Sequence, residues 1–218
     1  MKLGSVGEIA REYFMIVVGI STALGLEHMV SNYEHAKAAA ESRSRIVAEL
    51  RSDLTELRSS NDENVRRLKS LASLSDEMIE GLNNGQSTEK IVQIIYGKSH
   101  GIMFGISLPA FRHEAWDVAV ANQSAGFMDP VALLRFSRAY AAERNALSAT
   151  EMGTGFGPRL TDTMLDIKLH RVDPVESLRA FQQMIGALRT AIGNMTEAQK
   201  EMESSLSSEL ESEPAPVK

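Results

Sequence analysis

Apolar positions along this chain follow three patterns. Residues 13–26, YFMIVVGISTALGL, form an unbroken run without a charge. From Ser31 to about Leu82 apolar residues recur in a heptad frame, with Val47, Leu54, Leu68 and Leu82 at a and Leu50, Leu57, Leu71 and Met78 at d. Asn61, Asn64 and Ser75 interrupt that seam. A stripe of this kind, free of proline, predicts a long amphipathic helix packing in coiled-coil fashion. A second frame follows Asp173. Leu178, Ile185, Ile192 and Leu206 take a, Phe181, Leu188, Met195 and Met202 take d, and Gln199 is the polar exception. Two long helices with matching seams, joined by shorter ones, predict antiparallel packing in an elongated bundle.

Breaks and caps set the elements between them. Asn83-Asn84-Gly85-Gln86 ends the first helix, and Ser87 is positioned to cap a short one through Ile91, Ile94 and Ile95. Residues 97–105 break the pattern again. Leu108-Pro109 predicts a restart through Phe111, Ala115, Trp116, Ala119 and Val120, because proline suits the first helical position. Residues 125–128 read as a loop. Asp129-Pro130 then opens a helix bearing Val131, Leu134, Phe136, Tyr140 and Leu147. The glycine-rich residues 153–158 predict a hinge or interface loop. They follow a helix and carry no lysine, so they do not match a phosphate cradle. Asp173-Pro174-Val175-Glu176 combines an N-cap acid, proline at N1 and a capping-box glutamate. Beyond Ser207 the chain is acidic and proline-containing, too polar to fold alone.

Three readings fit the opening run. A cleaved signal peptide would need small residues at its end, but Glu27, His28, Met29 and Val30 stand there. A buried core helix fits the run's bare length. Extending it to Ile9 and Tyr33 gives about 25 residues, enough for a membrane span. Arg11 could snorkel, and Tyr13 and Tyr33 suit the interfaces. The expected organisation is therefore a tail at residues 1–12, a transmembrane helix at 13–33, a helical bundle at 34–206 and a disordered acidic tail at 207–218. The fold class is all-α, with the span continuing into the first long helix.

Within the span Gly19, Ala23 and Ser21, Gly25 form two small-xxx-small pairs, which let another helix approach closely in lipid. They are equally ordinary span composition. Glu27 and His28 lie close enough to the run to be partly buried, and an ionisable group there faces a partner, water or a headgroup. These six residues are the candidate partner-contact set.

Composition narrows the function. The chain has 218 residues and a net charge of −6, without a basic face for nucleic acid. It has no cysteine, which excludes disulfides, thiolate metal sites and cysteine nucleophiles. Five histidines are scattered, at 28, 35, 100, 113 and 170. His28 and His35 could share a helix face, but no carboxylate completes a metal set. His113 and Glu114 are adjacent and point to different faces. Neither a metal nor a cofactor is expected, and no nucleophile elbow, zinc-protease or P-loop motif occurs. Charged pairs such as Glu49 and Asp53 read as a solvated helix surface. Trp116 reads as a core anchor for the small helices. Asn61, at an a position, could fix register or mark a wet spot.

Gly7-Glu8-Ile9, Ile16-Val17-Val18-Gly19-Ile20, Ala23-Leu24 and Glu27 resemble the start of an uncharacterised bacterial family, a domain of unknown function. Glu114-Ala115-Trp116-Asp117, Gly126, Asp129-Pro130 and Tyr140 resemble that family's central helix, loop and following helix. The likeness is scattered over roughly the first 150 residues. Glu27-His28-Met29 depart from the aromatic interface signature of many members. The family brings no catalytic residues. It implies an N-terminus in the cytoplasm and a helical body on the periplasmic side of the bacterial inner membrane. The charges alone leave orientation open, since Lys2 and Arg11 precede the span and Lys37, Arg43 and Arg45 follow it.

Two functions are expected from these residues. One is a non-enzymatic, membrane-anchored subunit that meets a membrane-protein partner, or a second copy, through its span and long helices. The other is a membrane-tethered domain binding a small molecule or signal, using the loops at 97–105 and 153–157 around Trp116.

Overall fold

No proline interrupts the chain before Pro109, and the first helix runs without a break. In the computed structural model α1 spans Val6–Asn83. It is followed by α2 Thr88–Ser99, α3 Glu114–Ala121, a 3-10 turn Ser124–Phe127, α4 Pro130–Gly153, α5 Gly157–Lys168 and α6 Pro174–Glu211. The described residues are 6–99, 101–153, 157–169 and 171–211, and none of them forms a strand. The protein is all-helical with a long N-terminal helix. The helix starts seven residues ahead of the apolar run, and α6 carries the chain through 207–211 as helix.

The chain divides into two units. The first comprises Met1–Ile46 with Glu114–Pro130. Here α3 and the 3-10 turn pack on α1 through small residues. Ala39, Ser42, Ala119, Ser124 and Ala125 are buried. The Ser124 and Ser42 hydroxyls hydrogen-bond at 2.7 Å. The stretch expected as a loop is instead this short turn. Gln123 enters it with φ 63°, the left-handed region, and the Ser124 amide donates to the Asn122 side chain at 3.0 Å. The His35 and Phe127 rings stack at 3.9 Å, nearly parallel at 7°.

The second unit comprises Val47–His113 with Val131–Lys218. Its cross-helix hydrogen bonds join Ser75 to Gln182, Asn61 to Thr196 and Arg58 to Glu203. Numbers falling on α1 match numbers rising on α6, so the two segments run in opposite directions. The heptad frames hold, but the buried face is wider than an a/d seam. On α1 the d residues Leu50, Leu57, Leu71 and Met78 are buried, and so are Asp53, Ser60 and Leu74 at g. On α6 Ser177, Met184, Ala191, Ala198 and Ser205 bury the same g row. A three-position face is what a helix presents to several neighbours at once, whereas an a/d seam serves one. Leu71, Leu74, Met78, Ile91, Ile95, Ile167, Phe181 and Leu188 form one core cluster from α1, α2, α5 and α6.

Element ends follow their local chemistry. At the end of α1 the Gln86 amide donates to the Gly81 carbonyl at 2.9 Å and the Gly85 amide to Leu82 at 3.2 Å. This is a Schellman closure, and Gly85 supplies its left-handed residue at φ 65°. The Ser87 carbonyl accepts from the Lys90 and Ile91 amides as α2 opens. Asp173 Oδ1 accepts from the Val175 and Glu176 amides at 2.8 and 3.0 Å, the expected cap with Pro174 at N1.

Three local expectations change. Gly97 does not break α2, which continues to Ser99. Pro109 starts no helix; α3 begins at Glu114, and residues 102–113 form a non-helical strap along α1. The reason is tertiary. The Asn64 side chain takes both the amide and the carbonyl of Ser107, at 2.7 and 2.9 Å, and Asp53 takes the Arg112 amide at 3.1 Å. These side chains replace helical partners for the backbone. Finally, α5 occupies part of the expected glycine-rich hinge, with Pro158 in its first turn, while residues 154–156 lie outside the described residues.

Candidate functional site

The first candidate region is the apolar part of α1. Among the described residues one helix is, by length and composition, long and apolar enough to cross a membrane, and none of its 18-residue apolar window is buried. Phe14, Met15, Ile16, Ile20, Leu24 and Leu26 are all exposed. Thr22 returns its hydroxyl to the Val18 carbonyl at 2.8 Å, so that polar group is satisfied inside the helix. Gly19, Ser21, Ala23, Gly25, Glu27 and His28 all lie on this helix and are exposed. They do not form one face. At roughly 100° per residue Gly19 and Ser21 are about 200° apart, so the pair Gly19, Ala23 looks away from the pair Ser21, Gly25. Glu27 falls nearer the first pair and His28 nearer the second. His35, one heptad after His28, contacts Ser31 at 3.1 Å and stacks on Phe127. His100 and His170 lie outside the described residues.

The second region is in the second unit, and charge patterning concealed it. Asp53 is fully buried, as are Tyr140 and Glu143 on α4, and Glu49 is half-buried. The expectation of a solvated surface at Glu49 and Asp53 is therefore corrected for Asp53. Helical spacing puts Glu49 and Asp53 on one face of α1, and Tyr140 and Glu143 on one face of α4. The strap adds Arg112 and His113. Tyr140 donates its hydroxyl hydrogen to Glu49 at 2.6 Å. Asp53 Oδ2 accepts the Arg112 amide, and the Arg112 Nε lies 3.7 Å from Asp53 Oδ1. The Arg112 guanidinium also donates to the Ser52 hydroxyl at 2.8 Å. The His113 ring tilts against the Tyr140 ring at 5.7 Å.

Glu143 lacks such support. Both its oxygens are buried with no hydrogen-bond partner, and so are Asp53 Oδ1 and His113 Nδ1. The His113 Nδ1 is 3.8 Å from Glu143 Oε2, beyond hydrogen-bond length. Burial, reinforced by the negative charges of Asp53 and Glu49, pushes the Glu143 carboxyl up to about 9 against a weaker pull from Arg144. Burial likewise raises Asp53, outweighing the Arg112 amide that favours its anion. It also raises the Tyr140 phenol, with the hydrogen bond to Glu49 acting in the same direction. The arrangement is suited to holding a proton. Among the described residues no three His, Asp or Glu side chains are grouped to ligate a metal ion.

Sequence reading missed this cluster, although a signal was present. Asp53 lies between Leu50 and Leu57 on the buried stripe, and Glu143 lies between Ala139 and Ala146 on that of α4. Two grooves lie elsewhere in the unit. One, of about 710 Å³, runs between α5 and α6 beside Asp162, Asp166, Glu176 and Arg179. The other, of about 460 Å³, runs between α4 and α6 beside Arg138, Asn194 and Glu201. Neither is lined by Trp116, which is partly buried on α3.

No protein-family model, curated protein or solved structure matches the chain.

Proposed function

We propose that the protein is a single-pass, non-enzymatic subunit of a membrane-protein assembly, anchored in a bacterial inner membrane by residues 13–33. The observation that carries this reading is the exposure of α1 on every side of its apolar run. Tyr13 is 70% and Leu24 60% exposed, and the residues between them follow suit. Burying one such side chain is worth about 1.5–3 kcal/mol, so exposing a whole turn after turn of them to water is strongly disfavoured. Lipid covers such a surface, and the helix meets its own backbone hydrogen bonds there. The small-residue pairs and the adjacent Glu27 and His28 suit a second helix, from a membrane-protein partner or another copy. The segments beyond the span form an antiparallel helical bundle in this reading. Its placement on the periplasmic side rests on the family resemblance.

The cysteine-free sequence provides a direct test. Single variants Lys2→Cys and Lys200→Cys are expressed in bacteria, and an impermeant maleimide is applied to spheroplasts. The protein is expected in the alkali-washed membrane fraction, with Lys200→Cys labelled and Lys2→Cys protected. Recovery in the soluble fraction would overturn the anchor, and the reverse labelling would overturn the orientation. Purification from mild detergent is expected to bring another chain with it; a protein that always emerges alone and monomeric would sink the subunit reading.

A further inference from the structure

Glu49, Asp53 and Glu143 bring three carboxyls to one place, against one guanidinium that is 54% exposed. A carboxylate has about four lone-pair sites to satisfy. Glu49 has the Tyr140 hydroxyl and Asp53 has the Arg112 amide. Glu143, 0% exposed, has no hydrogen-bond donor for either oxygen. Burying an unpaired carboxylate costs far more than burying the neutral acid. We infer that this cluster is a proton-binding site, with the proton on the Glu143 carboxyl.

The groups facing the site come from three elements. From α1 come Glu49 and Asp53; from the strap, Arg112 and His113; from α4, Tyr140 with Arg144 on the next position. The acids of α6, Glu197 and Glu201, line the separate groove beside Arg138. With Glu143 protonated, the site holds two carboxylates, both with donors. Loss of the proton adds a third negative charge next to Asp53, in a space without water-like screening. The high affinity of Glu143 for its proton agrees with this picture, and the site empties at alkaline pH.

The test uses the full chain in lipid nanodiscs. Infrared difference spectra between wild type and Glu143→Gln are expected to show a protonated-carboxyl stretch in the wild type at neutral pH, lost on titration through about pH 9. Absence of that band, or its persistence in Glu143→Gln, overturns the proton site. Asp53→Asn supplies a second variant. Removing the neighbouring charge is expected to move the loss of the infrared band to lower pH, and an unmoved band would contradict the coupling between Asp53 and Glu143.

Discussion

With both oxygens buried and no donor in reach, Glu143 binds its proton more tightly in the folded chain than in the unfolded one. The sign of its effect on stability follows. Between the ordinary carboxylate range and about 9, the folded state carries a proton that the unfolded state has lost. Stability is therefore greatest at the acid end of that window and falls as pH rises, by up to about 1.4 kcal/mol per unit from this group. Asp53, also raised, contributes in the same direction. Urea midpoints of the chain in detergent are expected to fall from pH 5.5 to 8.5, while Glu143→Gln flattens that slope and raises the midpoint at pH 8.5. A midpoint that rises with pH in both proteins would contradict the assignment. Neither residue was recognisable as buried from charge patterning. Asp53 read as a helix-surface acid because Arg112, which meets it, is distant in sequence, and Glu143 was not singled out at all. Helical periodicity did place both on the apolar stripes, so half of the signal was local and the other half was not.

Among the elements, caps were legible and the strap was not. Asp173-Pro174 fixes the start of α6 through contacts within three residues, and its two amide hydrogen bonds are those expected. Asp173→Ala is expected to cost about 1 kcal/mol in urea denaturation, and Asp173→Ser to restore most of it. Equal stability of Asp173→Ala and wild type would show that the first turn is held by packing alone. Residues 102–113 carry a favourable helix start at Pro109, yet stay non-helical. The Ser107 amide and carbonyl and the Arg112 amide are claimed by Asn64 and Asp53, two positions on α1 that a heptad reading marks as a flaw and a surface charge. Asn61 is likewise no bare defect, since its side-chain amide donates to Thr196 on α6 at 3.3 Å. The heptad frames gave the helices and the phase of their d rows. They did not give the burial of the g rows, which depends on how many neighbours each helix meets.

On the proposed membrane-anchored reading, the two small-residue pairs make distinct claims. They sit about 200° apart on the helix, so in that reading a single neighbouring helix would cover one pair and lipid the other. Gly19→Leu with Ala23→Leu, and separately Ser21→Leu with Gly25→Leu, are expected to differ sharply in co-purification of the partner from mild detergent. One double variant should lose it and the other retain it, with equal membrane levels of both. Unchanged recovery in both double variants would overturn the proposed partner contact through the small-residue pairs. Glu27 and His28 fall nearer opposite pairs, so the same pair of variants indicates which of them is shielded.

The sequence determined the features that depend on neighbours a few residues away: an all-helical chain, an apolar run of membrane length, the turn at Gly85 and the cap at Asp173. Periodicity and capping act within one or two turns, and nothing distant overrides them there. The tertiary structure decided where the charges go. Only packing of α1, α4 and the strap creates a space in which Asp53 and Glu143 are desolvated together, and desolvation is a property of the assembled surroundings that no local pattern contains.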